Sequence, residues 1–364
     1  MADTALAAVF HEAGQPMTFE LFALPQLQGG EVLVRVTCST LCGSDVRTYQ
    51  GHRTTPVPTV LGHEIIGTVE AIGPGQPVLD HNGNLVKIGD RITWSIAASC
   101  GSCFYCDHDV PQKCDHLFKY GHEKIVADHP LSGGLAEFCH LAAGTAILRL
   151  PDALSDGLAA PANCATATVA AAFRTGGQVE GQAILIQGAG MLGLTACAMA
   201  AQHGARHVIV CDVDAGRLAR AERFGATRGL LVADDQEDLI AGVQQITDGR
   251  GVDLALELSG SPDAVEMGLK LLRIGGRYVL IGSTAPSRPV ALDPESVVRR
   301  LLRISGNHNY RPEDLATAVT FLTQHGERYP FDELVYDGFG LRDAHAAFDR
   351  AIEGDSLRVA VRPG

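Results

Sequence analysis

Two hydrophobic periods run through this chain. In the first 150 residues the apolar positions come in short β-type stretches. EVLVRVTCST (31–40) is rich in β-branched residues, and EIIGTVEAIG (64–73) alternates and then stops on glycine. HNGN (81–84) is a hairpin-turn signal, so 74–89 is expected to form a surface hairpin. From residue 151 alanine takes over, and PANCATATVAAAF (161–173) predicts a helix start. Then strands and helices alternate. The strands are AILIQG (183–188), HVIVCDV (207–213), GLLVAD (229–234), VDLALELSG (252–260), RYVLIGS (277–283) and LLRISGN (301–307). Helices are expected over 190–203, 215–226, 236–247 and 262–272. That alternation predicts a parallel sheet with both faces covered. Helices near 312–325 and 341–353 and a last strand LRVAVRP (357–363) are expected to return to the first domain.

Composition narrows the class. The 364 residues suffice for two domains, and 46% apolar with 20% charged residues is a globular balance. A net charge of -13 argues against nucleic acid or anionic membrane as a partner. An anionic substrate would need a local basic pocket. The opening MADTALAAVFHEAG has no basic segment followed by a long apolar run, and no stretch is apolar enough to span a membrane. A cytoplasmic protein is therefore expected, in which ten cysteines point to metal more than to disulfides. Cys38, Cys139, Cys197 and Cys211 lie in apolar contexts and read as buried packing residues.

Three groups of residues carry chemistry. Cys100, Cys103, Cys106 and Cys114 offer four thiolates within one short loop. An iron–sulfur cluster also takes four thiolates, but its usual run has three residues before the last cysteine and a proline after it. Here seven residues intervene and Asp115 follows, which favours a closed structural zinc site. Cys42 and His63, each in a glycine-flanked turn, are ligand candidates for a second metal with an open position. Gly188-Ala189-Gly190-Met191-Leu192-Gly193 follows a predicted strand and opens a predicted helix, the context a dinucleotide turn requires. Asp212 ends the next strand, where a carboxylate suits the ribose hydroxyls and repels a 2′-phosphate. NAD is thus expected over NADP, with Asp214 and Arg217 beside it.

With Cys42-Gly43-Ser44-Asp45, Gly62-His63-Glu64, the four-cysteine lobe and the glycine turn in this order, the chain resembles the zinc-dependent medium-chain alcohol dehydrogenases along nearly its whole length. The resemblance implies a Rossmann doubly wound parallel sheet domain plus a mainly β GroES-like catalytic domain. Expected bounds are 1–164 for the catalytic domain with its zinc lobe at about 95–118, 165–308 for the NAD-binding domain, and 309–364 for the return. It implies two zinc ions per chain, with Cys164 as the third ligand of the catalytic one, a choice spacing alone does not make. It also implies that Glu64 neighbours that metal, that Asp45 orients His63, and that Ser44 passes the alcohol proton outward. Many members carry histidine where this chain has Arg47, and arginine cannot shuttle a proton. The relay would then end elsewhere, for instance at His52.

RITWSIAASCGSC, PQKC, LFKYGHE and the CATATVAAAF helix are similar to a subgroup associated with phosphonate catabolism. That similarity implies a hydroxyalkyl phosphonate substrate, with Arg47, His52, Arg53, Lys119 and His122 as candidate cations. A polyol or amino-alcohol dehydrogenase of the sorbitol or threonine type is the alternative. A zinc-free quinone reductase of the same fold and a non-catalytic NAD-binding sensor are others, both disfavoured by the intact ligand set. The family forms homodimers and homotetramers, commonly through the edge of the cofactor domain near 276–308.

Overall fold

The computed structural model describes residues 3–232, 236–354 and 356–364. The chain divides into two compact units. One comprises Met1–Ala167, Arg311–Glu327 and Phe331–Gly364, and the other Thr168–Tyr310 with Arg328–Pro330.

The first unit is mainly β. A seven-stranded sheet runs Ile147–Arg149, Arg91–Trp94, Glu64–Ile72, Val32–Leu41, Arg358–Arg362 and Val335–Gly340, with Phe138–Leu141 also paired to Val32–Leu41. A three-stranded sheet of Thr18–Ala23, Thr4–Phe10 and Thr59–Val60 accompanies it. Apolar residues from both sheets and from the helix Ala344–Glu353, among them Phe10, Phe138 and Phe348, form a core of the unit. Register is what positions the chemistry. Thr40 lies opposite Glu64 on one neighbour strand, and Leu41 lies opposite Val359 on the other. The strand Arg358–Arg362 is thereby laid beside residues 39–41.

The second unit is a six-stranded parallel sheet in the order Arg228–Leu231, His207–Asp212, Ala183–Gln187, Val252–Glu257, Leu272–Leu280 and Arg303–Gly306. Its central strand, Ala183–Gln187, is buried at every position, as a parallel strand between two helical layers must be. Gly193 shows how close those layers come: a Cβ there would stand 1.8 Å from the Gly188 carbonyl. This is the expected α/β architecture.

The hairpin expected at 74–89 is present in its shortest form: Leu79 and Leu85 make one antiparallel bridge, with Val86 N donating to Val78 O at 2.9 Å and Asp80 N to Asn84 O at 2.8 Å. Asp80 closes the turn, accepting from Asn82 N, Asn84 N and Asn84 Nδ2. Two other local expectations need correction. The helix expected from 161 begins at Ala165, after a 3-10 turn over Ala160–Asn163. Cys164 sits at the break with φ -133° and ψ -77°. The strand expected at 229–234 is Arg228–Leu231; positions 233 and 234 lie outside the described residues.

Candidate active site

Cys42 ends the strand Val32–Leu41 and caps the helix Gly43–Tyr49. Asp45, in the first turn of that helix and 2% exposed, ties the region together. It accepts from Cys42 N at 2.9 Å, from Gly62 N at 3.4 Å and from His63 Nδ1 at 3.1 Å. A carboxylate on Nδ1 makes that nitrogen the donor and leaves Nε2 for a ligand bond. Cys164, across 122 residues, brings its Sγ to 4.0 Å from that of Cys42. One donor atom each from Cys42, His63, Glu64 and Cys164 lies within 4.8 Å of the others.

Electrostatics favour a cation in this cluster. Burial pulls the His63 imidazole down, but Asp45 and Cys42 outweigh it and hold its pKa at about 10. Surroundings that hold a proton this firmly also suit a metal ion. The Cys42 thiol is held well below its ordinary value, chiefly by the hydrogen bond from Cys164, then by Arg358 and His63, against burial. Cys164, the donor of that bond, is pushed up by it and by burial.

Glu64 is fully buried and already engaged. Arg358 Nε donates to its Oε2 at 2.7 Å, Arg358 Nη2 to its Oε1 at 2.8 Å, and Thr40 Oγ1 to its Oε2 at 2.6 Å. Arg358 Nη2 also stands 3.6 Å from Cys42 Sγ. Burial pushes the Glu64 carboxyl up against the pull of Arg358. Neither Thr40 nor Arg358 is evident from motif reading. The available signal is an arginine inside the apolar strand LRVAVRP, since a buried charge needs a partner.

The four-cysteine lobe is a separate cluster. Its Sγ atoms stand 3.5 Å apart for Cys103–Cys106, 3.8 Å for Cys103–Cys114 and 3.4 Å for Cys100–Cys114. Four sulfurs each about 2.3 Å from one tetrahedral ion lie about 3.8 Å apart, so a single zinc fits. The amides of Cys100 and His116 both point at Cys114 Sγ from 3.3 Å. The Cys100 thiol is lowered to about 6, first by the Ser102 amide and then by Cys114. The lobe is closed by a two-stranded sheet in which Ala97 faces Lys119 and Ala98 faces Phe118.

Lys119 is one of three cationic or basic residues grouped near the first cluster. It is partly buried and its ammonium is lowered by burial and by Arg53, while Cys164 and Cys42 pull the other way. His122 lies with its ring 5.0 Å from that of His63, held well below its ordinary value by burial, then by His63, Lys119 and Arg53. Among the described residues neither Lys119 nor Arg53 forms an ion pair. Arg47 and His52 are exposed, and no bond among the described residues joins their side chains to the ligand cluster. Ser44 is partly exposed, in the first turn of the helix after Cys42.

In the second unit the helix Met191–Gln202 starts at Gly190, so Met191 and Leu192 belong to the first turn, where amides lack helical partners. A Cβ on Gly190 would meet nothing within 4 Å, which leaves open space where a phosphate would sit. A cavity of about 480 Å³ adjoins this turn, lined among others by Gly188, Gly190, Asp212, Arg217 and Leu258. Asp212 is fixed by the amides of Ala189 at 2.7 Å and Asp214 at 3.0 Å. The residues present therefore fit a dinucleotide.

Residues 28–152 match the family model described as alcohol dehydrogenase GroES-like domain, and residues 192–324 match that described as zinc-binding dehydrogenase. D-arabitol-phosphate dehydrogenase of Enterococcus avium is 32% identical over 349 residues, spanning 95% of this chain and 93% of that protein. The chain belongs to the zinc-dependent medium-chain alcohol dehydrogenases. A second relative of this family, 5-exo-hydroxycamphor dehydrogenase of Pseudomonas putida, is 31% identical with 98% of each chain covered. The crystal structure of an alcohol dehydrogenase from Thermotoga maritima superposes with a TM-score of 0.92 at 29% identity, covering 99% of this chain and all of that one. As a zinc-dependent alcohol dehydrogenase, the protein is an oxidoreductase that uses zinc and a nicotinamide cofactor on a small-molecule alcohol. No helix among the described residues is long and apolar enough to cross a membrane.

Proposed function

We propose that this dehydrogenase oxidises or forms an alcohol that carries an anionic group, a phosphonate or phosphate, a few bonds from the reacting carbon. The observation behind this is the grouping of Arg53, Lys119 and His122 beside the Cys42, His63 and Cys164 cluster. Two cations without an ion pair are costly to keep partly buried unless a ligand supplies the counter-charge. The overall charge of -13 would otherwise repel such a ligand. The relative named D-arabitol-phosphate dehydrogenase supports a phosphorylated alcohol, whereas the hydroxycamphor relative shows that the scaffold is not restricted to anions.

In this reading Cys42, His63 and Cys164 hold the catalytic zinc, and Cys100, Cys103, Cys106 and Cys114 hold a structural one. When bound, the catalytic ion lowers the pKa of the alcohol near neutral pH. Asp45 keeps His63 in the ligating tautomer, and Ser44 carries the released proton towards solvent. Glu64, neutralised by Arg358, sets the charge behind the metal. Gly188, Gly190 and Gly193 admit the pyrophosphate to the helix terminus, while Asp212 selects NAD over NADP. Arg47, being exposed, is assigned to outer contacts with cofactor or substrate. The catalytic domain takes 1–164 and 309–364, the NAD domain 165–308, and the protein works in the cytoplasm as a homo-oligomer. Ile274, Val298 and Leu301, each at least 66% exposed, lie close to the edge strand Arg303–Gly306 and give such an assembly an apolar contact.

The test compares 2-hydroxypropyl phosphonate with 2-butanol in wild type and in Lys119→Ala, Arg53→Ala and Arg47→Ala. Loss of either inner cation should lower kcat/KM for the phosphonate roughly ten- to a hundredfold, with the neutral alcohol little affected. Equal use of both alcohols by the wild type, unaltered by any substitution, would remove the anion pocket and leave the dehydrogenase.

A further inference from the structure

We propose that Tyr278 is a positioning residue for the cofactor. Through Gln187 it locks the helix Pro262–Leu271 to the strand that leads into the glycine turn, and so fixes the width of the cavity that takes the adenosine half of the dinucleotide. The inference rests on the reading of that cavity as the NAD site.

The starting point is a polar residue in an apolar strand. Ala183–Gln187 reads AILIQ, is buried throughout, and ends directly before Gly188. An amide shut away from water needs partners. Gln187 takes them from two other elements. Its Nε2 donates to the Ala264 carbonyl at 2.6 Å, in the first turn of the helix. A carbonyl can only accept, so this bond fixes which end of the amide is nitrogen and leaves Oε1 for a donor. Tyr278, also buried, supplies it: its hydroxyl donates to Oε1 at 2.6 Å. The same hydroxyl lies 3.2 Å from the Ala264 carbonyl, which closes a triangle of three groups.

Register explains how strands that are not neighbours meet. Val252–Glu257 runs between them, with Gln187 opposite Glu257 and Tyr278 opposite Ala255. Paired residues face the same side of a sheet, and so do residues two apart. Gln187, Glu257, Ala255 and Tyr278 therefore share one face, and the small Ala255 leaves room for the tyrosine to reach across. The helix comes down onto that hydroxyl. Glycine is a poor helix former, yet Gly268 stands one turn after Ala264 inside the helix. A Cβ there would lie 2.2 Å from Tyr278 Oη and 2.7 Å from Gln187 Oε1. The helix thus sits at a height that a side chain at 268 would not allow.

That height matters on the cavity side. Ala264 and Met267 line the cavity of about 480 Å³ together with Gln187, Gly188 and Asp212. Asp212 is the carboxylate assigned to the adenosine ribose, so the helix is a wall of the adenosine end. Gln187 joins the two: its backbone leads into the phosphate turn, and its side chain holds the wall. A supporting pair of this kind sets binding geometry without touching the ligand's reacting atoms.

Tyr278→Phe removes the hydroxyl and leaves the Gln187 oxygen without its donor. We expect isothermal titration to show ADP-ribose and NAD each bound about tenfold more weakly, while kcat at saturating NAD and KM for the alcohol stay within about twofold. Gly268→Ala removes no hydrogen-bonding group but pushes the same hydroxyl aside. It should give the same split, and it serves if the Phe variant does not fold. Partial unfolding alone would lower the titration stoichiometry and leave the dissociation constant of the folded fraction unchanged, so the constant separates positioning from stability. If both variants bind ADP-ribose as wild type does, or if kcat falls in step with affinity, the inference is wrong. Asp212→Ala provides the reference. Weaker ADP-ribose binding in Asp212→Ala but not in Tyr278→Phe or Gly268→Ala overturns this inference alone. Unchanged binding in Asp212→Ala overturns the reading of the cavity as the NAD site, and this inference with it.

Discussion

The two cysteine clusters solve the same coordination problem in opposite ways. In the lobe all four donors fall between residues 100 and 114, and three are exposed or partly so. Little else organises them beyond a four-residue helix, a 3-10 turn and amides aimed at sulfur. The other cluster draws on residues 42, 63, 64 and 164, with His63 and Glu64 buried and Cys42 and Cys164 partly so, backed by a prebuilt network from Asp45, Thr40 and Arg358. On the zinc assignment proposed above, the first would take its order from its ion. The second would take it from the fold, and could therefore leave a coordination position free for chemistry without collapsing.

The largest test of this contrast is His63→Ala. It should cut turnover at least about a thousandfold and reduce zinc from about two ions per chain to about one, with the melting temperature little changed. Elemental analysis and thermal scans decide it. Loss of both zinc ions would mean the clusters are not independent, and iron with sulfide would overturn the zinc assignment of the lobe.

Arg358→Met probes the prebuilt network itself. A fully buried Glu64 then loses its ion-pair partner, and unfolding by denaturant should show a loss of about 3–5 kcal/mol. Combining it with Glu64→Gln should recover much of that. If the double variant is as unstable as the single, the pair is not what organises the site.

Cys103→Ser should do the reverse of His63→Ala. We expect the melting temperature to fall by about 5 °C or more, while kcat on a neutral alcohol stays within about threefold. An equal collapse of kcat would erase the distinction.

The smallest effect serves as a control away from both clusters. His129 stacks on His140 at 3.9 Å and donates from Nε2 to the His140 carbonyl at 2.8 Å, with Glu31 as the nearby carboxylate. Burial, then the charge of His140, lower its pKa from 6.5 to about 4. Its contribution is intact above pH 6.5 and is lost as pH falls towards 4, because the unfolded chain takes up the proton the folded one refuses. Between pH 7 and 5.5 this costs about 1 kcal/mol. His129→Phe should flatten that part of the pH–stability curve; an unchanged slope would shift acid sensitivity back to the metal ligands.

How much of this was legible in the sequence follows the same divide. Short-range chemistry reads directly: the cysteine spacing, the glycine turn and the alternation of strands and helices are local patterns with local causes. Cys164 is not local, and its alanine-rich helix looks like ordinary packing; only resemblance singled it out. Arg358 was missed because its meaning depends on strand register, which places Val359 opposite Leu41 and so brings residue 358 to Glu64. The candidate cations lie on two loops, and nothing local in the sequence marks which of them faces inward. Lys119, Arg53 and His122 are grouped near the thiols, whereas Arg47 and His52 are exposed. The hairpin at 74–89 was legible from its turn residues, and Asp80 closes that turn through the amides of Asn82 and Asn84.

The reach from Glu64 to Arg358 also has a meaning in time. A chain leaves the ribosome from its N-terminus, so the lobe has all its ligands once residue 114 has emerged. The other site has Cys42, His63, Glu64 and Cys164 early, but the guanidinium that neutralises Glu64 comes 294 residues after it. A nascent chain can thus hold every thiolate of the lobe while the surroundings of the second site still wait for a strand not yet made.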